Sequence, residues 1–173
     1  MKATTDATLR EVKSAKAPPK SSLATLVAGH PFLQGMKSEH LAILTACAMP
    51  AEFKKDESIF REGDPANRFY LIRSGRVELE AGVKERGRML IQTIGPGDVL
   101  GWSWLFQPYY WRFDARAATP VKAIFFYGTR LREQCEQDPA FGYDVMKRTA
   151  EVVVKRLQAA RKYLVELRTE GRT

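Results

Sequence analysis

Between Ala51 and Tyr127 the apolar residues recur with a period near two, in runs of a few residues, and the period on either side is helical. Phe60, Phe69, Leu71, Val77 and Leu79 alternate with polar partners. Turn-forming groups divide the runs: Glu62-Gly63-Asp64-Pro65, Ser74-Gly75, Arg86-Gly87 and Gly95-Pro96-Gly97-Asp98. Further strands are expected at 89–94, 99–100, 113–118 and 121–127. Many short strands with regular turns argue a β-sandwich or a barrel-like roll.

Helices flank this stretch. Residues 21–28 read as a short helix, with Ser21 or Ser22 as cap, broken by His30-Pro31-Phe32-Leu33. A second begins at Ser38, carries Leu41, Leu44 and Ala48 at helical spacing, and ends at Pro50. After Gly128 the period is helical again: Thr129 caps a short helix reaching Gln137, then Asp138 at the N-cap and Pro139 at N1 open a long one to Leu167. The expected class is α+β, mainly β: N-terminal helices, a β-roll of jelly-roll type, and a long C-terminal helix. A chain of 173 residues suits one such domain. The expected division is a flexible basic leader (1–20), the roll with its short helices (21–137), the long helix (138–168) and a tail (169–173).

The net charge of +8 falls largely on the leader (Lys2, Arg10, Lys13, Lys16, Lys20) and the last helix (Lys147, Arg148, Lys155, Arg156, Arg161, Lys162, Arg168). Charge spread in this way reads as a solvated surface rather than a nucleic-acid footprint. Cys47 and Cys135 are expected to be buried free thiols, and His30 and His40 have no neighbours at metal-ligand spacing, so no metal is expected. No apolar run is long enough to span a bilayer and the N-terminus lacks a signal-peptide core, so no membrane association and a cytoplasmic location are expected.

One stripe of the last helix runs Met146, Ala150, Val153, Leu157, Ala160, Leu164, Leu167, in steps of four and three. That is a heptad seam. Its first half could pack on the roll, because Phe141 and Val145 can face it. Its second half projects past so small a domain and calls for a partner helix, so a parallel homodimer is expected.

The chemistry-bearing stretch is 58–64 (Ser-Ile-Phe-Arg-Glu-Gly-Asp), then 69–77 from Phe69-Tyr70-Leu71-Ile72 through Ser74-Gly75 to Val77, then Gly95-Pro96-Gly97-Asp98-Val99-Leu100-Gly101. Phe-x-Glu-Gly-Asp, Phe-Tyr-Leu-Ile-x-Ser-Gly-x-Val and Gly-x-Gly-Asp-x-x-Gly in this order resemble the cyclic-nucleotide-binding domains of the catabolite-activator and FNR superfamily, over about residues 30–164. The resemblance implies a roll that holds a cyclic nucleotide in a phosphate-binding cassette, here Gly101-Trp102-Ser103-Trp104-Leu105-Phe106 followed by Arg112 or Arg116. Free N–H groups at the start of a helical turn favour an anion, and a guanidinium pairs with the phosphodiester. The family's purine contacts from the last helix fall on Ala160 and Arg161.

The chain also departs from the family pattern. Trp102 stands where the family has a glutamate for the ribose hydroxyl, and an indole only donates. Arg112 is favoured for phosphate, while Arg116 aligns better with a later strand arginine. Ala160 offers no side-chain hydrogen bond. Three readings remain open. The pocket binds cAMP or cGMP, with Ser103 or a water replacing the glutamate. The indoles of Trp102 and Trp104 fill it. Or it takes another small anionic ligand. The leading expectation is a regulatory sensor that signals through its C-terminal helix to an unidentified protein effector; the alternative is a ligand-free dimerisation scaffold. No cofactor is required and no catalytic constellation is present, so no enzyme activity is expected. The chain stops about six residues past Leu167, which leaves no room for a helix-turn-helix, so specific DNA binding is not expected.

Overall fold

The computed structural model describes residues 20–83 and 87–170. Residues 1–19 of the expected leader and the tail beyond residue 170 lie outside them, as does Arg86 of one turn signal; Lys20, counted with the leader, belongs to the first helix, and residues 169–170, counted with the tail, to the last. The elements are α1 (Lys20–Ala28), a 3-10 turn (Pro31–Leu33), α2 (Ser38–Cys47), β1 (Met49–Phe53), β2 (Ser58–Phe60), β3 (Arg68–Ser74), β4 (Val77–Val83), β5 (Gly87–Ile94) and β6 (Val99–Leu100). A second 3-10 turn (Trp102–Leu105), β7 (Asp114–Ala117), β8 (Val121–Tyr127), α3 (Gly128–Gln137) and α4 (Pro139–Glu170) follow. Two four-stranded sheets, β1-β8-β3-β6 and β2-β7-β4-β5, are antiparallel throughout and face each other as a roll.

The period of two serves two cores at once in the first sheet. On β3, Tyr70 and Ile72 enter the roll, while Phe69 and Leu71 join the helices' core. On β8, Ala123 and Phe125 face inward, and Ile124 and Phe126 face the helices. Phe69 and Leu71 therefore do not alternate with polar partners, because both faces of β3 are buried and both must be apolar. The second sheet has one wet face: Val77 and Leu79 point in, while Glu78 and Glu80 lie opposite Arg116 and Asp114.

Several local expectations need correction. Neither Ser21 nor Ser22 is a cap, because both lie inside α1. Cys135 is half-buried rather than buried. Pro50 does not end α2, which stops at Cys47 with Ala48 as its C-cap; Pro50 lies in β1, an edge strand that tolerates a missing N–H. Thr129 is not a cap: α3 starts at Gly128, with Tyr127 in the cap position and no side-chain bond. Strand β7 begins at Asp114, because residues 109–111 are drawn out to pair with the 63–66 loop, Ala66 N–H donating to Tyr109 O and Trp111 N–H to Asp64 O.

Asp138 caps α4 as expected, Oδ1 accepting from Ala140 N and Phe141 N, both at 3.0 Å. Asp138→Ala is expected to cost about 1 kcal/mol of stability, read as a lowered urea midpoint. Nearby, buried His40 sits between carboxylates, its Nδ1 3.4 Å from Asp144 and its Nε2 3.9 Å from Asp138. Arg148 donates to Asp144 from Nε and to the Phe32 and Gln34 carbonyls from Nη1, tying α4 to the first 3-10 turn.

Burial would raise the Asp144 pKa, but hydrogen bonds from Arg148 and His40, together with their charge, hold it below the usual carboxylate value. A depressed folded pKa contributes stability that is complete above the unfolded value of about 4 and is lost as pH falls through the folded one. Urea titrations of Asp144→Asn should therefore show a deficit at pH 7 that shrinks as the pH falls below about 4.

Candidate functional site

Strand β6 is followed by Gly101, whose φ of +89° is left-handed and leads straight into the 3-10 turn Trp102–Leu105. Only glycine suits this position. A Cβ there would lie 2.9 Å from Cη2 and Cζ3 of Trp111 and 3.0 Å from the Arg68 carbonyl oxygen. The Trp111 ring thus packs directly against the Gly101 backbone. Trp111 is 4% exposed, lies parallel to Phe60 with ring centroids 3.9 Å apart, and packs with Phe113 inside the roll. Its backbone is held at both ends, N–H donating to Asp64 O and its carbonyl accepting from Gly63 N.

The expected cassette residues divide. Trp104 is wholly buried, but in the helices' core against Phe69, not inside the roll. Arg132 of α3 donates to the Trp104 carbonyl at 2.6 Å and lies over the Tyr109 ring, closing the far end of the turn. Trp102 is half-buried, edge-on to Phe106, and does not belong to the roll's core. The expectation that Trp102 and Trp104 fill the hollow is therefore corrected: the indole beside Gly101 is that of Trp111. Ser103 is buried.

Neither expected arginine is free in the roll. Arg112 is exposed, between Trp111 and Phe113, which fill the interior. Arg116 lies across the outer face, paired with Asp56 at 2.8 Å, Glu80 at 3.2 Å and Glu78. Arg68, at the start of β3, is a further cation near Gly101, its carbonyl oxygen 3.0 Å from where a Cβ there would stand. Its guanidinium lies 5.0 Å from the Phe125 ring centre and 5.8 Å from that of Tyr127, and it bonds to Tyr70. Burial pushes the Tyr70 hydroxyl's pKa up, and Arg68 partly offsets this. The alternation Arg68, Tyr70, Ile72 was the sequence signal for an inward arginine. Among the described residues, buried side-chain polar atoms without a partner are Arg68 Nε, Trp102 Nε1, Ser103 Oγ, Trp104 Nε1 and Arg156 Nη1, four of them at the cassette or on Arg68.

On α4, Phe141, Val145, Thr149, Val152 and Arg156 face the roll, and every residue from Leu157 to Thr169 is exposed. Ala160 and Arg161 therefore lie past the part of the helix that this roll covers. Of the seam, Met146, Ala150, Leu157, Ala160, Leu164 and Leu167 are exposed and Val153 is half-buried. Two clefts lie outside the roll, one beside α4 and one beside α1, and neither is lined by Gly101, Trp102, Arg112 or Arg116. Among the described residues, no His, Cys, Asp and Glu group could hold a metal, and no helix is long and apolar enough to cross a membrane.

A two-sheet antiparallel roll, with a left-handed glycine opening a one-turn helix and a long helix closing the fold, defines a domain of the cyclic-nucleotide-binding type. The family model for the cyclic nucleotide-binding domain matches residues 50–138, and the chain belongs to that family. A CRP-like cAMP-activated global transcriptional regulator of Mycobacterium tuberculosis is 26% identical over 136 residues, covering 79% of this chain and 59% of the regulator. This chain thus spans well under two thirds of that relative. A putative cyclic nucleotide-binding protein from Geobacter metallireducens superposes with a TM-score of 0.70 at 28% identity, covering 81% of this chain and 98% of that one. The regulatory subunit of a cAMP-independent protein kinase A from Trypanosoma brucei shares the fold (TM-score 0.63, 23% identity, 76% of this chain and 46% of that one).

Proposed function

We propose that the chain is a regulatory dimerisation module whose roll is closed by Trp111 and which works through α4 without a cyclic nucleotide in the cassette. The observation that carries this reading is the Trp111 ring standing 2.9 Å from where a Gly101 side chain would begin. A phosphodiester cannot reach the turn's amides through an indole stacked on Phe60. The arginine at the family's phosphate position, Arg112, is exposed, and Arg116 is committed to carboxylates. The family fold also occurs in a kinase regulatory subunit described as cAMP-independent, so the roll alone does not dictate a response to cAMP. Its partner is a second copy, because the heptad stripe on α4 is self-complementary and lies exposed.

Calorimetry with cAMP and with cGMP at up to about 1 mM should give no saturable heat. Micromolar binding of either nucleotide would overturn the reading. The partnerless polar atoms at the cassette and the inward Arg68 favour a second reading, in which a nucleotide displaces Trp111 and bonds to Arg68. That version predicts saturable heat together with a change in tryptophan fluorescence, both lost in Arg68→Met.

A further inference from the structure

Outside the roll, the inner face of α4, the first 3-10 turn and the Gly95–Val99 turn enclose a cleft of about 480 Å³. Apolar residues Phe32, Val99 and Val152 line it, together with Gln34 and Gln92. Three cations border it, Arg148, Lys155 and Arg156, against two carboxylates, Asp98 and Glu151. These cations are not equivalent. Arg148 is engaged by Asp144 and two backbone carbonyls and serves as wall. Lys155 is exposed and has no ion pair among the described residues. Arg156 is the last inward residue of the helix; Nη2 donates to the Val99 carbonyl, while Nη1 is buried with no partner. Asp98 lies near enough to act on its charge, but Oδ2 already accepts from Gly95 N at 2.8 Å. A buried guanidinium with an unfilled donor is costly, and an anionic acceptor relieves that cost.

We infer that this cleft binds a small organic anion, its carboxylate or phosphate head held by Arg156 and Lys155 and its apolar body resting on Phe32 and Val152. The volume is within the usual range for small-molecule sites, about 300–1,000 Å³. A ligand here touches both α4 and the turn before β6, so it grips the helix at its last contact with the roll. The site is separate from the cassette and stands whether or not the roll admits a nucleotide.

The experiment is an NMR titration of the full chain with benzoate, phenyl phosphate and inorganic phosphate. Expected are saturating shifts at the amides of Phe32 and Val152 with at least one aromatic probe, weakened at least about tenfold in Arg156→Met and in Lys155→Met. Arg61→Met, far from the cleft, should bind as the parent does. Inorganic phosphate tests the head alone, and benzoate against phenyl phosphate sorts the two head chemistries. Arg156→Lys, which keeps charge and length, should fold even if Arg156→Met does not, and should retain part of the affinity. Shifts that fail to saturate with any probe up to about 20 mM, or that survive Arg156→Met and Lys155→Met undiminished, would overturn the inference. Nucleotide binding in the roll would instead move Gly101 and Trp111.

Discussion

Trp111→Ala is expected to lower the free energy of unfolding by about 3–5 kcal/mol, the usual cost of emptying a large buried aromatic site. Three observations set the upper part of that range. The ring is stacked on Phe60, its far edge meets Gly101, and the backbone on both sides is hydrogen-bonded to the 63–66 loop and cannot follow the lost side chain inward. Collapse around the vacancy is therefore limited, and limited collapse is what makes a cavity expensive. Urea unfolding should show a lower midpoint at an unchanged slope. Trp111→Phe, which keeps a stacked ring, should recover most of the loss. A deficit below about 1 kcal/mol for the alanine variant would mean that the indole does not close the roll. In that case the case for an occluded cassette falls with it. Should the variant fold and then give heat with cAMP where the parent gives none, the indole is the gate and the cassette behind it is intact.

The order of elements was legible because it depends on local signals that tertiary structure had little reason to override. The period of two, the glycine turns and the Asp138-Pro139 helix start each carry their own stereochemistry. The site was less legible, for a specific reason. A strand buried on both faces, such as β3, shows no amphipathic pattern, so Arg68 reads as a polar edge residue although its register with Tyr70 and Ile72 sends it inward. The three tryptophans are chemically alike in a sequence, and which one meets Gly101 is settled by the pairing of 109–111 with the 63–66 loop, a contact some 45 residues apart in the chain. Arg116 stands as the second phosphate candidate in the sequence, after Arg112, only because the family's arginine precedes small residues. Its actual partners, Asp56 in the turn between β1 and β2 and Glu78 and Glu80 on β4, become visible only once the strands are paired.

Leu157→Asp combined with Leu164→Asp is expected to convert a dimer into a monomer, with association weakened by two orders of magnitude or more at about 1.4 kcal/mol per tenfold. The two leucines are 67% and 60% exposed in the single chain, one heptad apart, and nothing in the roll reaches them. Burying both in a paired helix and then charging them places two carboxylates per chain in one seam, where desolvation and like-charge repulsion act together. Folding of the roll should be unaffected, because the inward face ends at Arg156. With Ala150, Leu157 and Leu164 at one seam position and Met146, Val153, Ala160 and Leu167 at the other, the flanking positions between 147 and 168 carry Lys147, Thr149, Val154, Arg156, Arg161, Tyr163 and Arg168. None of these is acidic, so interhelical salt bridges do not hold such a pair, and its basic flanks repel. Added salt should therefore tighten the dimer by screening that repulsion, contrary to what an ion-paired coiled coil would show. Sedimentation velocity of parent and double variant at two ionic strengths tests both statements. A parent that is monomeric at micromolar concentration, or a double variant that still sediments as a dimer, would remove α4 as the pairing element.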